Sequence, residues 1–358
     1  MSINGLSKYL RFYSKPLTIA LVIFISLVGL YFRYAKYASR ALWGDEYVFF
    51  TPLSGHTFRD TPLMHVIGKN LTILQFPGDV ILLWSMAHYF GENKWVLALP
   101  HILITILGFY LLYKLCSLYF KTTWGYVITF LVVAFNANLV FASFELRPYG
   151  VLAVLSIASF LVMKIIVEKR DPSPWEKIGI NAFIFMLLLF HMYGSWILFF
   201  TYLFHFVASA NEPRGKIIFR NLKHYSYGFV LAMPLWIYFT FGFDKEYLQR
   251  DTFEFIKKGI VPWLKGVFGN LIGFRLFYLF LPGLIALILP QEDNWKQIWF
   301  FILLIWAPIL LLFFVCYIHK YWFIQRLFTW EMPLFAFLLG WVWDSLFLRF
   351  SRKVEKNN

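Results

Sequence analysis

The run Leu17-Thr18-Ile19-Ala20-Leu21-Val22-Ile23-Phe24-Ile25-Ser26-Leu27-Val28-Gly29-Leu30-Tyr31-Phe32 is followed, ten residues on, by Trp43-Gly44-Asp45-Glu46-Tyr47. Sixteen residues without a formal charge, and then two adjacent carboxylates, decide the reading of the whole chain. The first stretch suits a helix crossing a bilayer, and the second sits where such a helix leaves it. Lys8, Arg11 and Lys15 precede the run, which predicts a cytoplasmic N-terminus and a non-cytoplasmic acidic pair. No small-residue cleavage site follows the run, so it is expected to stay as a helix and not be removed as a signal peptide.

Outward from this pair the same pattern recurs. The chain has 358 residues, 60% of them hydrophobic and only 15% charged, whereas a soluble domain carries roughly a quarter charged residues. Apolar runs are predicted near Trp95–Leu112, Gly125–Phe141, Gly150–Val167, Ile178–Leu189, Ser195–Ala210, Tyr227–Phe241, Leu276–Leu289 and Ile298–Val315, with a last one ending near Phe347. Together with Leu17–Phe32 they predict an all-α integral membrane protein of about ten transmembrane helices with both termini inside. Residues 33–94 and 243–275 form the two long outer loops. Pro52, Pro62 and Pro77 break the first loop into pieces too short to span, so interfacial helices are expected there, with Gly55, Gly78 and Gly91 at turns.

The net charge of +14 is scattered between apolar runs, and no compact soluble domain is expected to carry a nucleic-acid face. It reads as topology and attraction to anionic lipid. Cys116 and Cys316 both fall inside predicted spans, which argues against a disulfide.

With this topology the polar clusters share one face. They are Asp45-Glu46, Glu145-Leu146-Arg147-Pro148-Tyr149, His191-Met192-Tyr193 and the segment from Lys320 to Arg326. An acid opposed by cations at a membrane face suits transfer from a lipid phosphate. The carboxylate takes a proton from an acceptor hydroxyl, and guanidinium forks grip the departing phosphate. Against that, Glu46 is read as orienting Asp45 or binding a cation, Glu145 as the salt-bridge partner of Arg147, and Tyr149 as an aromatic-belt residue. His191 reads as a hydrogen-bonded interfacial histidine. His56, Asp60, His65 and Asp79 are metal-capable types, yet no HExxH or paired-cysteine spacing exists. A divalent ion bridging Asp45 and a donor phosphate stays open.

At these residues the chain resembles the GT-C superfamily of polyprenyl-phosphate-dependent glycosyltransferases, in the branch of protein O-mannosyltransferases and the lipid A aminoarabinose transferase. The resemblance lies in Asp45-Glu46 after the first span and in Phe76-Pro77-Gly78-Asp79 leading to Phe90-Gly91-Glu92. It continues through Leu99-Pro100, Arg147-Pro148-Tyr149, and Gln325-Arg326-Leu327 with Pro333. Ala98 and Gly78 depart from the family's arginine and second proline. The resemblance implies a GT-C-like fold and a polyprenyl-phosphate sugar donor, while the compact chain without eukaryotic retention signals is expected in a bacterial inner membrane. It also implies a lipid, polysaccharide or protein acceptor. Asp45 and Glu46 are then catalytic, and Arg147, Tyr149, Lys320 and Arg326 bind the donor phosphate. Asp79, Glu145, His191 and Tyr193 support them. Trp196, Trp263 and Trp322 are candidates to pack against the tail or the sugar. A transporter of lipid-linked sugars and a non-catalytic envelope-assembly protein are the rival readings. Both predict polar groups that do not converge at one face.

Overall fold

The computed structural model describes residues 15–40, 46, 57–72, 76–208, 213–241, 261–262, 265, 295–319 and 325–356. Among them the chain is helical without strands. In order come α1 (Lys15–Ser39), α2 (Leu63–Thr72), α3 (Pro77–Phe90), α4 (Lys94–Tyr119), α5 (Thr123–Phe135), α6 (Ala137–Phe144) and α7 (Pro148–Glu168). Then follow α8 (Pro174–Phe190), α9 (Tyr193–Ala208), α10 (Arg214–Tyr225), α11 (Tyr227–Phe241), α12 (Trp295–His319), a 3-10 turn (Gln325–Glu331) and α13 (Met332–Lys356). Helices stand at nine of the ten expected segments; Leu276–Leu289 lies outside the described residues. Four helices are long and apolar enough to cross a membrane, or five if one bent pair is a single span. The chain is a membrane protein of apolar helices.

Two expectations are corrected. The first outer loop was to begin at Arg33, yet α1 continues to Ser39 with Arg33 inside it, buried. The span expected over Gly125–Phe141 is instead two helices, α5 and α6, bent by 58°. Both departures have one cause. Asn136 closes α5 and opens α6, its side chain accepting from the amides of Asn138 and Leu139 at 3.0 and 3.1 Å. The carbonyls released at the break are met by Arg33, which donates to Val133 O at 2.6 Å and Ala134 O at 2.8 Å, and to Gly29 O in its own helix at 3.0 Å. In an apolar medium unpaired carbonyls are costly, so the arginine and the break require each other.

α1 and α5 run parallel. Thr18 and Thr123 share a 2.8 Å hydrogen bond at one end, and Gly29 packs against Ala134 at the other. We call the first the basal end and the second the site end. α13 packs antiparallel on α5, with Gly340 against Gly125 and Thr129. Small residues let helix backbones approach where lipid offers no hydrophobic drive between them. α9 docks on α7 through a 2.8 Å hydrogen bond between Ser159 and Thr201.

At the basal end, Asp344 of α13 is buried and accepts from Lys121 N (2.9 Å), Thr122 N (2.7 Å) and Thr122 Oγ1 (2.5 Å). It thereby serves the backbone just ahead of α5. Removing it strands three donors, so Asp344→Ala is expected to cost roughly 2–4 kcal/mol. The check is the unfolding midpoint in detergent micelles beside Asp344→Asn, which keeps one acceptor oxygen and falls between.

Between α1, α4, α5, α6, α7 and α13 lies a small, half-open cleft of about 40 Å³. Gly108, Gly150 and Pro333 line it together with the polar groups of Arg33, Thr105 and Ser143.

Candidate functional site

The site end is assembled by Arg40, one residue beyond α1. Its fork grips Glu46, with Nη1 to Oε2 at 2.9 Å and Nη2 to Oε1 at 2.6 Å, while Nη2 also donates to Phe144 O at 3.0 Å. Glu46 Oε1 accepts from Leu146 N at 2.8 Å, and the residue is 0% exposed. Both carboxylate oxygens are therefore occupied in fastening the end of α1 to the α6–α7 link. Among the described residues the cation that Glu46 binds is Arg40. A proton-accepting role has no support in this geometry. Asp45 and Lys320 lie outside the described residues.

The link so fastened is Glu145-Leu146-Arg147. Arg147 N donates to Glu145 O at 2.8 Å, but the two side chains form no ion pair. This corrects the expected pairing. Leu146 is fully buried and pinned by its amide, Glu145 is turned inward, and Arg147 stays half-buried. The Arg147 guanidinium has no hydrogen bond or ion pair among the described residues, and its Nε is buried. Arg147 is also the N-cap residue of α7 and supplies no side-chain cap, with Pro148 following it. The first-turn amides of α7 thus face the same end as the guanidinium, and both favour an anion.

Aromatic rings wall this cation. Tyr149 is buried, with its ring 6.0 Å from that of His191. It is not the belt residue that the sequence suggested, because α7 turns it into the protein. His191 stacks on Tyr193 at 5.1 Å and on Phe76 at 5.8 Å. Its Nδ1 accepts from Tyr193 N at 3.2 Å, which fixes the hairpin tip between α8 and α9. Burial, and after it the Arg147 charge, push His191 down to about 3. The imidazole is therefore neutral at physiological pH, and with Nδ1 accepting, its Nε2–H remains a donor. Trp196 stands behind Tyr193 and Phe200.

Phe76 reaches this wall because α3 lies close under the hairpin. Gly78 was expected at a turn, but it sits in the first turn of α3. A Cβ there would stand 2.9 Å from Phe190 and 3.0 Å from Leu189 O. Gly91, with φ of 96°, does close α3 as expected.

Three acidic or basic groups near this end escaped the sequence reading or were undervalued by it. Asp79 of α3 and His101 of α4 approach to 3.2 Å with 2% of each side chain exposed. None of their four polar atoms has an aligned hydrogen bond. The sequence offers Asp79 as a supporting residue at the start of a proline-led interfacial helix, and does not single out His101. Its place one residue after Leu99-Pro100, inside a span, was the available signal. Glu331 ends the 3-10 turn, is 1% exposed, and its carboxyl oxygens have no partner among the described residues. A carboxylate within an apolar segment was legible there too. Arg326 is the second residue of the same turn, which packs on α6 and α7. The backbone thus brings Arg326 to the site end. Among the described residues no group of three metal-capable side chains converges.

With that geometry in place, comparison with known proteins was made at three levels. No family model, curated protein or solved structure matches this chain. Its functional reading rests on its own residues.

Proposed function

We propose that this chain is a membrane glycosyltransferase that moves a sugar from a polyprenyl-phosphate donor to an acceptor hydroxyl. The observation that carries the proposal is Arg147. Among the described residues it is a cation without a counter-ion, at the start of α7, walled by a neutral His191 and one residue from the amide that Glu46 holds. A buried or half-buried guanidinium with no protein partner is a place for a ligand anion. The resemblance of Asp45-Glu46, Arg147-Pro148-Tyr149 and Gln325-Arg326-Leu327 to GT-C enzymes supplies the reaction.

In this reading the site end faces outward from a bacterial inner membrane, and the ten-span GT-C-like topology places both termini in the cytoplasm. Asp45 takes the proton of the acceptor hydroxyl as its oxygen bonds to the anomeric carbon. The bond from that carbon to the phosphate oxygen breaks, and polyprenyl phosphate leaves with the electron pair. Arg147, the Nε2–H of His191, and Arg326 stabilise the departing charge. Tyr149 and Tyr193 flank the sugar, and Lys320 adds to the phosphate cradle.

The test is transfer by purified parent, Arg147→Met and Asp45→Asn with a panel of polyprenyl-phosphate sugars. Each variant, still folded, is expected to lose on the order of a hundredfold or more in turnover. Equal activity of parent and Arg147→Met sinks the phosphate assignment.

A second reading has a specific observation behind it. Broken helices with buried charges are where transporters bind their cargo, and here the α5–α6 break, Arg33 and Glu331 supply them. If the parent cleaves no donor yet moves lipid-linked sugar across liposome membranes, the flippase reading replaces the first.

A further inference from the structure

α10 (Arg214–Tyr225, RGKIIFRNLKHY) is the helix that the apolar spans do not explain. It lies at the basal end, between α9 and α11, and has no acidic residue. Its inward stripe is Ile217, Asn221 and Tyr225, all buried. Asn221 Nδ2 donates to the Tyr202 hydroxyl at 3.2 Å, and Arg220 donates to Val167 O at 2.8 Å, so the helix has a fixed roll.

That roll decides what faces out. At 3.6 residues per turn, Ile218, Leu222 and Phe219 form a stripe beside the buried one. Phe219 is 72% and Leu222 61% exposed. Lys216 and Lys223 form the next stripe, and Arg220 follows at its edge. Among the described residues neither lysine has an ion-pair partner, although Lys164 and Lys169 of the neighbouring segment do pair, with Glu168 and Glu176. His224 registers the field. Partial desolvation, and then the charges of Lys177, Lys223 and Arg220, hold it below its usual value, against the opposing Asp171.

An apolar stripe flanked by unpaired cations is the pattern of a helix lying in a bilayer interface, with its rings in the acyl boundary and its ammonium groups among headgroups. We propose that α10 is a headgroup-reading helix that binds anionic phospholipid through Lys216 and Lys223, with Ile218, Phe219 and Leu222 seated in the membrane. The partner is a lipid surface, because a soluble anion leaves Phe219 and Leu222 in water. The choice of leaflet, the cytoplasmic one, rests on the orientation proposed above; the binding itself does not depend on the reaction.

The experiment uses the full chain in neutral detergent, and reads the unfolding midpoint against added phosphatidylglycerol, phosphatidylcholine or inorganic phosphate. Phosphatidylglycerol is expected to stabilise at far lower concentration than phosphatidylcholine, and the preference is expected to weaken as salt rises from 0.05 to about 0.5 M. Lys216→Gln with Lys223→Gln is expected to raise the half-saturating phosphatidylglycerol concentration by roughly thirtyfold, at about 1 kcal/mol per charge. Lys36→Gln, at the far end of the bundle, leaves it unchanged. Phe219→Ser weakens the response to both lipids. The proposal falls if the two lipids stabilise equally, if the double variant keeps the preference, or if inorganic phosphate does as well as phosphatidylglycerol.

Discussion

Gly340→Ala is expected to be the most damaging alanine substitution among the described glycines. A Cβ at position 340 would stand 1.9 Å from Thr129 Oγ1, 2.6 Å from Gly125 O and 3.1 Å from the Phe120 ring. The threonine hydroxyl can rotate away only by giving up its 2.9 Å hydrogen bond to Gly125 O. The Gly125 carbonyl belongs to helix backbone and cannot move alone. α13 must therefore lift off α5, with Trp341 and Phe337 beside it losing their packing against Tyr119 and Phe120. Overpacking of this kind costs about 3 kcal/mol or somewhat more. The measurement is the unfolding midpoint of Gly340→Ala in detergent, with the double variant Gly340→Ala/Thr129→Ala beside it. Partial recovery in the double variant is expected, since the backbone clash remains. A midpoint for Gly340→Ala within a degree of the parent refutes the close approach.

Arg33→Met is the second large effect. It removes the donors that satisfy Val133 O and Ala134 O, where the break at Asn136 has left them without helical partners. It also removes a guanidinium stacked 5.4 Å from the Phe109 ring centroid. Two stranded carbonyls at about 1–3 kcal/mol each make the loss roughly 2–5 kcal/mol, offset in part by no longer burying a charge. Arg33→Lys keeps the charge but replaces a planar fork by one point donor, so it is expected to fall between. The consequence should reach the site, because α6 carries Phe144 and Glu145 and its angle is set at this break. Parent-like stability of Arg33→Met would mean the break is held by Asn136 alone.

Much of the fold was legible because bilayer-length apolar runs leave few alternatives. The helices at nine expected segments follow from that rule, as do the short pieces α2 and α3 with their proline starts. The break in the third span was not read, since Asn136 looks like a tolerable polar residue in a run of valines and phenylalanines. Only the bonding of the Val133 and Ala134 carbonyls to Arg33, about a hundred residues earlier, makes a bend cheaper than a straight helix. The same long-range bonding hid the role of Glu46. Adjacent carboxylates look alike in sequence, and nothing local says that one of them is clamped by Arg40 and the Leu146 amide. Arg147, His191, Tyr149 and Tyr193 do meet at one end, as their positions at helix termini suggested. The Asp79–His101 contact and the isolated Glu331 needed a span's inward face to be known before they carried meaning.

The carboxylate of Asp344 has a consequence for how the protein is made. Its acceptors serve Lys121 and Thr122, whose amides are synthesised 222 residues before it in the case of Thr122. At roughly 5–20 residues per second the start of α5 waits on the order of ten to forty seconds for its partner to leave the ribosome. Throughout that interval α5 is in place without its terminal lock, and Gly125 and Thr129 present an open seam. A helix made more than two hundred residues later is thus the one that closes the first half of the bundle. A nascent chain stalled before residue 344 would offer that seam to any insertion factor or quality-control protease able to read an unsealed helix pair.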